Sequence, residues 1–315
     1  MFQKDSFLSH LEKERRLSPH TLLAYSNDLE QFLSYCKDIY SLASDSDVRH
    51  LHIRTWVVTQ LEDGQQARSV NRRLSCLKSY FKFLLKRGYL LQDPMEKVIG
   101  PKTPKRLPVV AREQDLQLLF STLPFPDGYK GLLHRSILEV LYATGLRRGE
   151  LAALQTSDID FSRGVLRVLG KGNKLRFAPI VGPIVPLLRQ FLELRNQQFP
   201  TSEYGQLFLS TKGLPLSPES IYAVVRKYLS QVSRNEQNSP HVLRHSFATH
   251  LSDKGADLNA IRELLGHSNL AATQIYLHNS IEKLKKVYEQ AHPTGGQAEK
   301  EEDSGDTNDL LPKEK

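Results

Sequence analysis

With 315 residues, of which 39% are hydrophobic and 25% charged, the chain is long enough for two domains with separate cores and has an ordinary composition for a globular protein. It contains no apolar run of membrane-spanning or signal length, and its two cysteines, Cys36 and Cys76, have neither metal-ligand spacing nor a disulfide framework, which predicts a metal-free cytosolic protein. The net charge is +8, and because the residues from Thr294 onward carry −4, the rest carries +12. This charge fits a polyanionic partner, but it fits a generic basic surface as well, and charge alone does not decide between the two.

The first 95 residues have the apolar spacing of an all-helical domain. After an amphipathic N-terminal segment, Ser18 and Pro19 form an N-cap and first helical position, and the second helix is predicted to end near Cys36. The third helix is predicted over 48–61, before Asp63-Gly64, and the fourth over 70–86, with Gly88 as its terminator. A four-helix domain is therefore expected here.

The fourth helix carries an unusual charge pattern, since the segment 68–87 has seven bases and no acid. A one-signed face fits the neutralisation of DNA phosphates, although a solubilising, solvated face explains the bases about equally well. The bases of this segment that we predict to contact DNA are Arg68, Arg72, Arg73, Lys78 and Lys82.

The segment 96–110 is predicted to be a linker, because Pro101, Pro104 and Pro108 interrupt every helical pattern in it. Its bases are further predicted DNA contacts: Lys102, Lys105 and Arg106.

The segment 111–292 is predicted to be a mostly helical second domain with a small antiparallel sheet, and the acidic segment 293–315 a disordered tail. The strand region is expected over 160–180. The predicted helices of this domain are 112–123, 129–144, 184–196, 218–232, 240–254, 258–265, 270–277 and 281–291. The acidity of the tail suggests either a DNA mimic that screens a basic groove or, as we favour, an inert solvated end.

The segment 239–276 concentrates side chains suited to phosphoryl transfer. His241 and Arg244 are three residues apart and share a helix face, and His267 and Tyr276 follow. An arginine fork matches phosphate oxygens, and a tyrosine hydroxyl can act as a covalent nucleophile. Together these residues suggest a reaction in which DNA becomes attached to the protein.

Two upstream segments add further cations. Arg147 follows a helix-ending glycine in ATGLRRGEL, where Arg148 is an alternative and Glu150 is placed to orient an arginine one turn away. Lys171 lies in a predicted hairpin turn, GKGNK, where Lys174 is its rival.

These motifs, ATGLRRGEL, LGKGNK, HVLRHSFAT, LLGHS and TQIYLH, stand in an order that resembles the tyrosine recombinases, the phage integrase family. LSPHTLLAYSNDLEQFL, PKTPKRLP and KVYEQAHP are similar to the bacterial Xer subgroup, and more to its XerC branch than to its XerD branch. The resemblance covers nearly the whole chain. It implies a small helical, SAM-like DNA-binding domain (1–95), joined by a linker to a catalytic domain.

The resemblance also implies the role of each residue. Tyr276 would be the nucleophile that forms a 3′-phosphotyrosyl link, Arg147 and Arg244 the clamps on the scissile phosphate, and Lys171 the general acid for the leaving oxygen. His241 and His267 would donate hydrogen bonds to the phosphate or help to deprotonate the tyrosine. Such a reaction needs neither a metal nor another cofactor nor ATP.

The implied function is site-specific recombination of double-stranded DNA, with chromosome dimers resolved at a dif-like site on the bacterial nucleoid. The implied partners are a related, XerD-like recombinase in a heterotetramer and a DNA translocase as activator, with 281–291 as the helix that docks onto the neighbouring protomer. Three alternatives stay open: a phage or transposon integrase, a non-catalytic DNA-binding protein of the same fold, and a type IB-like topoisomerase.

Overall fold

The computed structural model describes residues 1–104, 109–170, 174–180, 182–233 and 238–266. The chain divides into two compact units, Met1–Arg106 and Leu107–Lys315, and the division falls within the segment predicted as a linker. The predicted tail and the predicted helices 270–277 and 281–291 lie outside the described residues. Within the described ranges, none of the helices combines the length and apolar character needed to cross a bilayer.

The first unit contains four α-helices in its described part. Their bounds are α1 Lys4–Lys13, α2 Pro19–Tyr40, α3 His50–Glu62 and α4 Ala67–Lys86. The hydroxyl of Ser18 accepts the N–H of Thr21 and so caps α2, which continues four residues beyond the predicted end because Ser41, in the left-handed region at φ 53°, terminates it. Gly88, at φ +74°, follows the end of α4 as predicted.

Aromatic side chains dominate the core of this unit. Trp56 of α3 is 1% exposed and meets the ring of Phe32 edge-on at 5.1 Å, and Phe32 in turn meets Phe81 of α4. The same core contains a buried polar pair, in which the Tyr80 hydroxyl donates to Asp45 at 2.8 Å. The apolar stripe of α4 thus holds the unit together, and the opposite face of this helix is left for its bases.

The described part of the second unit is helical around one small sheet, so the predicted mainly α class is confirmed. Its helices are α5 Glu113–Ser121, α6 Gly128–Thr144, α7 Arg148–Ala153, α8 Ile184–Gln198, α9 Pro218–Val232, α10 Pro240–Asp253 and α11 Leu258–Leu264. Its strands are β1 Ile159–Asp160, β2 Val165–Leu169 and β3 Leu175–Pro179. All but α7 lie close to the predicted bounds.

The three strands form an antiparallel sheet in the order β1-β2-β3. In the hairpin, Val168 pairs with Arg176 and Leu166 with Ala178, and all four side chains are buried. Because directly paired residues share a face of a sheet, these four form its inner face. This inner face belongs to the unit's hydrophobic core, which also contains Phe191, Phe208 and Leu243.

Candidate active site

The candidate site begins at Gly145, a glycine whose backbone lies in the left-handed region. Gly145, at φ +60°, ends α6, and the chain then buries Leu146 and places Arg147 as the N-cap residue of α7. A Cβ at Gly145 would stand 2.7 Å from Cδ1 of Phe247 and 2.8 Å from Cδ2 of Leu265, so only glycine fits the packing against α10 and the end of α11. The turn therefore fixes where Arg147 leaves the core.

Glu150 orients Arg147, as its position one helical turn away predicts. The Arg147 Nη1 donates to Glu150 Oε1 at 2.7 Å, and the Arg147 backbone N–H donates to Oε2 at 2.8 Å. Burial raises the pKa of the Glu150 carboxyl, but the charge of Arg176 and then the hydrogen bonds and charge of Arg147 outweigh it, so its pKa lies below the ordinary value. Glu150 is thus an anion that holds two guanidinium groups.

Arg244 lies on α10, 6% exposed, with its guanidinium bound to the backbone on two sides. Its Nη1 donates to the carbonyl of Gly145 and its Nη2 to the carbonyl of Leu265, each at 2.5 Å. Burial, followed by the nearby charge of Arg147, lowers the pKa of Arg244 to about 10, so the group stays cationic at neutral pH. The two carbonyls fix the direction of the guanidinium plane before any ligand arrives.

His241, one turn before Arg244, completes the described cluster. His241 is exposed, but partial desolvation lowers the pKa of its imidazole, and the charges of His245, Arg148, Arg244 and Arg147 lower it further, so the ring is mostly neutral at pH 7. A cleft of about 360 Å³ brings it together with the arginine turn; its lining residues are Arg147, Arg148, Gly149, Glu150, Leu169, Gly170 and His241. An open cleft with cations at its wall is suited to an anion.

The structure separates Arg147 from its neighbour in the sequence. The Arg148 guanidinium lies 5.9 Å from the ring centroid of Tyr222 on α9, in a cation–π contact, whereas Arg147 is held by Glu150 and lies near enough to Arg244 to lower its pKa. Arg147 therefore lies close to Arg244, and Arg148 lines the same cleft while it contacts Tyr222.

Three of the six predicted catalytic residues, Lys171, His267 and Tyr276, lie outside the described residues. The residues that immediately precede two of them are part of the site. Gly170 lines the cleft, and its N–H donates to the carbonyl of the exposed Lys174 at 2.8 Å. Gly266 lies against the side chain of Arg176. The roles of Lys171, His267 and Tyr276 stay predictions.

The two other histidines of α10, His245 and His250, are expected from the sequence to have structural roles. His250 is buried, and its Nδ1 forms a hydrogen bond with the hydroxyl of Tyr142 at 3.0 Å, so it has a place in the core. His245 is exposed and has no such packing role.

The sequence patterns miss one functional candidate, Arg176 of β3. Its side chain is buried, and its Nη2 donates to Glu150 Oε2 at 2.7 Å. Strand alternation in KLRFAP predicts that Leu175 and Phe177 face the core and Arg176 faces solvent, but Leu175 is 47% exposed and Arg176 only 9%. The register against Val168, which needs the hairpin turn to be placed correctly, is the signal that finds it.

The predicted DNA contacts of the first unit differ in their surroundings. Arg72 donates from both terminal nitrogens to the buried Asp28 and is half exposed, whereas Arg73, 12% exposed, donates to Gln60. Both arginines therefore have structural partners, and their contact with DNA stays a prediction. Of the other predicted contacts, Arg68, Lys78, Lys82 and Lys102 are exposed, while Lys105 and Arg106 lie outside the described residues.

No group of histidine, cysteine or acidic side chains in the described ranges has the arrangement of a metal site.

Comparison with known proteins gives consistent matches in both units. The model of the phage integrase family matches residues 111–283, and the model of the phage integrase N-terminal SAM-like domain matches residues 5–88. The tyrosine recombinase XerC of Chlorobaculum parvum is 36% identical over 92% of this chain and 94% of its own length. That of Pelobacter propionicus is 39% identical over 96% of this chain and 99% of its own length. These matches confirm the resemblance that the ordered motifs predict.

Among solved structures, the XerH site-specific recombinase bound to its difH substrate covers 90% of this chain and 83% of its own, with a TM-score of 0.65 and 22% identity. At this identity the likeness shows that the two proteins share a fold.

Proposed function

We propose, from the premise that the chain belongs to the phage integrase family and is a tyrosine site-specific recombinase of the Xer group, that it cuts and rejoins double-stranded DNA through a covalent 3′-phosphotyrosyl intermediate. The observation that carries the proposal is the convergence of two separate segments of the chain. Arg147 at the start of α7 and His241 on α10 line one cleft, and Arg244 of α10 lies near enough to Arg147 for that charge to lower its pKa. Guanidinium groups held in place before the substrate binds are what a phosphodiester needs when charge builds up on its oxygens.

The charge balance of the cluster supports phosphate binding. Arg147, Arg176 and Arg244 bring three positive charges around the single carboxylate of Glu150, an excess that a phosphodiester anion would reduce. Since His241 is neutral at pH 7, its ring can donate one hydrogen bond to a phosphate oxygen and accept another from a hydroxyl. The site is thus prepared to hold a phosphate and to assist proton transfer.

In the proposed reaction, His241 or His267 helps to take the proton from the Tyr276 hydroxyl, the phenolic oxygen attacks phosphorus, and the bond to the 5′ oxygen breaks. Lys171 gives that oxygen a proton, which leaves a free 5′ hydroxyl. The phosphotyrosyl link conserves the energy of the broken bond, so attack by a different 5′ hydroxyl rejoins the DNA without ATP. Positioning and preorganised charge would supply most of the rate enhancement.

The cellular role that we propose is the resolution of chromosome dimers at a dif-like site, on the nucleoid in the bacterial cytosol. The XerC relatives, aligned over nearly their whole length, support it. The chain would act in a heterotetramer with a related, XerD-like recombinase, with the helix predicted at 281–291 docked onto the neighbouring protomer and a DNA translocase as activator.

A nicked suicide substrate tests the chemistry. In a duplex that carries a dif-like site and a nick close to the scissile phosphate, cleavage releases the short fragment that bears the new 5′ hydroxyl. This fragment diffuses away, so the strands cannot be rejoined and the covalent adduct accumulates. We expect a DNA–protein adduct that resists SDS and maps to Tyr276 by mass spectrometry. Tyr276→Phe should form none while it still shifts DNA in a gel, and Tyr204→Phe, which alters an exposed tyrosine of the same unit, should behave as wild type.

The outcomes separate the alternatives. Strand transfer by Tyr276→Phe would refute the assignment of the nucleophile. DNA binding without any adduct would favour a non-catalytic DNA-binding protein. Relaxation of supercoiled DNA that lacks any target site would favour a topoisomerase.

A further inference from the structure

A buried arginine outside the predicted catalytic set connects the hairpin to the phosphate-binding turn. Arg176 lies on the inner face of the β2–β3 hairpin, paired with Val168, where an apolar side chain would be expected. Burial lowers the pKa of its guanidinium, and the charge of Glu150 opposes this effect. A cation in this position is costly unless a specific partner compensates for its lost hydration.

The partner is Glu150, which Arg176 shares with Arg147. Oε2 of Glu150 accepts Nη2 of Arg176 at 2.7 Å and the backbone N–H of Arg147 at 2.8 Å, while Oε1 accepts Nη1 of Arg147 at 2.7 Å. With Arg176 on one oxygen, the carboxylate keeps a single orientation, and that orientation directs Nη1 of Arg147. Arg147 itself is half-exposed, with a side-chain accessibility of 36%, so it depends on this support.

Packing alone does not account for Arg176. Its Nε and Nη1 are buried and make no hydrogen bond within the described part of the chain, so the residue leaves two donors unsatisfied at the site. Its stem also lies against the turn after α11, where a Cβ at Gly266 would be 3.1 Å from its Cδ and Nε. A methionine would fill the same volume without these costs.

We propose that Arg176 is a positioning residue for the phosphate clamp: it fixes the Glu150 carboxylate, which in turn holds Arg147 toward the scissile phosphate. Arg176 is not among the described residues that line the cleft, so in this proposal it acts through Glu150 and Arg147 and not on the substrate itself. This inference rests on the proposed function, because it assigns Arg147 to the phosphate.

The inference is tested by the single-turnover rate at which the Tyr276 adduct forms on a suicide substrate, measured with the protein in saturating excess over the DNA. Arg176→Met should lower the cleavage rate about 10- to 100-fold, the scale expected when a reacting group is misplaced by about 1 Å. Arg176→Lys, which can still donate to Glu150, should recover part of that loss. Arg167→Met is the matched control: Arg167 lies on the adjacent strand, exposed and bonded to Asp158 at 2.9 Å, and its loss should leave the rate unchanged.

A double-mutant cycle tests the route through Glu150. If Arg176 acts by holding the carboxylate, adding Arg176→Met to Glu150→Gln should slow cleavage no further than Glu150→Gln alone. Fully additive losses, no loss in Arg176→Met, or a loss that tracks the fall in urea stability across all variants would overturn the proposal.

A substrate with a sulfur leaving group shows whether Arg176→Met impairs Arg147 or the predicted general acid of the hairpin, Lys171. A 5′-bridging phosphorothiolate leaves as a thiolate that needs no general acid, so it restores cleavage when the acid is displaced. We expect no recovery in Arg176→Met, because the clamp is what has moved. Recovery to the wild-type rate would show that Arg176 acts through the predicted acid, Lys171, and would overturn the assignment to Arg147.

A chemical probe makes the test independent of catalysis. Phenylglyoxal modifies accessible guanidinium groups, and mass spectrometry locates them. Release of Glu150 in Arg176→Met should speed the modification of Arg147 severalfold, whereas Arg167→Met should not. If the wild type forms no Tyr276 adduct, the proposed function fails, yet the modification rates still decide whether Arg176 holds Arg147 in place. Equal rates in all three proteins would refute the positioning role.

Discussion

Arg244 combines a structural and a chemical contribution in one guanidinium. Arg244→Ala removes the donors to the Gly145 and Leu265 carbonyls, so we expect a loss of about 1–3 kcal/mol in the free energy of unfolding from the unpaired groups. It also removes a preorganised cation from the phosphate site, and the adduct-forming rate should fall by about two to three powers of ten. Urea denaturation followed by circular dichroism and single-turnover cleavage at saturating protein measure the two effects.

Arg244→Lys is the control that separates them. Lysine keeps the charge but has one nitrogen, which cannot bond both carbonyls and a phosphate with the geometry of a fork. We expect a cleavage rate between those of wild type and Arg244→Ala. Cleavage by Arg244→Ala at the wild-type rate would exclude Arg244 from the clamp.

At the residue scale, the sequence reveals a candidate side chain when the residue belongs to a short local motif. Arg147, His241 and Arg244 could be found because each stands at a characteristic position beside a helix start or on one helix face. Arg176 could not, because its burial depends on strand register and on a carboxylate 26 positions away in the chain. Local alternation assigns the inner position to its apolar neighbour Leu175, and the ion pair with Glu150 reverses that preference.

At the scale of elements, the junction of α6 and α7 depends on a glycine. Gly145→Ala introduces a Cβ 2.7 Å from Phe247 and 2.8 Å from Leu265 at a φ of +60°, so overpacking and the left-handed backbone both destabilise the fold, by about 3 kcal/mol together. Gly255→Ala, at the end of α10, has a φ of +85° and nothing within 4 Å, so it should cost only about 1 kcal/mol. Urea denaturation by far-ultraviolet circular dichroism compares them. Equal losses would mean that the close packing around Gly145 contributes nothing.

A half-buried histidine makes the contact between α6 and α9 sensitive to pH. Nδ1 of His134 forms a hydrogen bond with the Tyr228 hydroxyl at 3.0 Å, and burial, followed by the charges of Lys227 and Lys130, lowers its pKa to about 4. The unfolded chain, with a pKa of about 6.5, therefore binds more protons between these values. The stability from His134 is complete above about pH 6.5 and is lost as the pH falls toward 4.

We expect His134 to contribute roughly 2 kcal/mol to the loss of unfolding free energy between pH 6.5 and 4, after a discount for its partial exposure. His134→Gln keeps a polar partner for Tyr228 but cannot titrate. Its free energy of unfolding should therefore fall less steeply than that of the wild type between pH 6.5 and 4. Parallel curves for the two proteins would show that the histidine is not the titrating group.

The elements that could be predicted are those with several turns of apolar periodicity. The helices α6, α9 and α10 lie within one residue of their expected bounds, since each has a proline or glycine at an end and a full apolar stripe. The six-residue α7 was not predicted because one and a half turns contain too little apolar periodicity. Its capping residue, Glu150, cannot be distinguished in the sequence from an ordinary surface charge. The longer α2 and earlier α4 depend on terminating contacts that have no strong local signature.

At the scale of the whole molecule, the chain has two hydrophobic cores that share no residue among the described positions. The first contains Trp56, which is the single tryptophan of the sequence and is 1% exposed. Its fluorescence therefore reports the unfolding of Met1–Arg106 alone, while circular dichroism of the helices reports both units.

This arrangement predicts that the first unit unfolds independently of the second. A fragment of residues 1–106 should show the same urea midpoint and slope by tryptophan fluorescence as the full chain, because a slope reflects only the surface exposed in the transition observed. The slope should match a domain of about 100 residues rather than the whole chain. In the full chain, the circular dichroism transition should not coincide with the fluorescence transition, since the second core is separate and larger. An unfolded fragment, or a steep transition shared by both signals, would mean that the two cores depend on each other for stability.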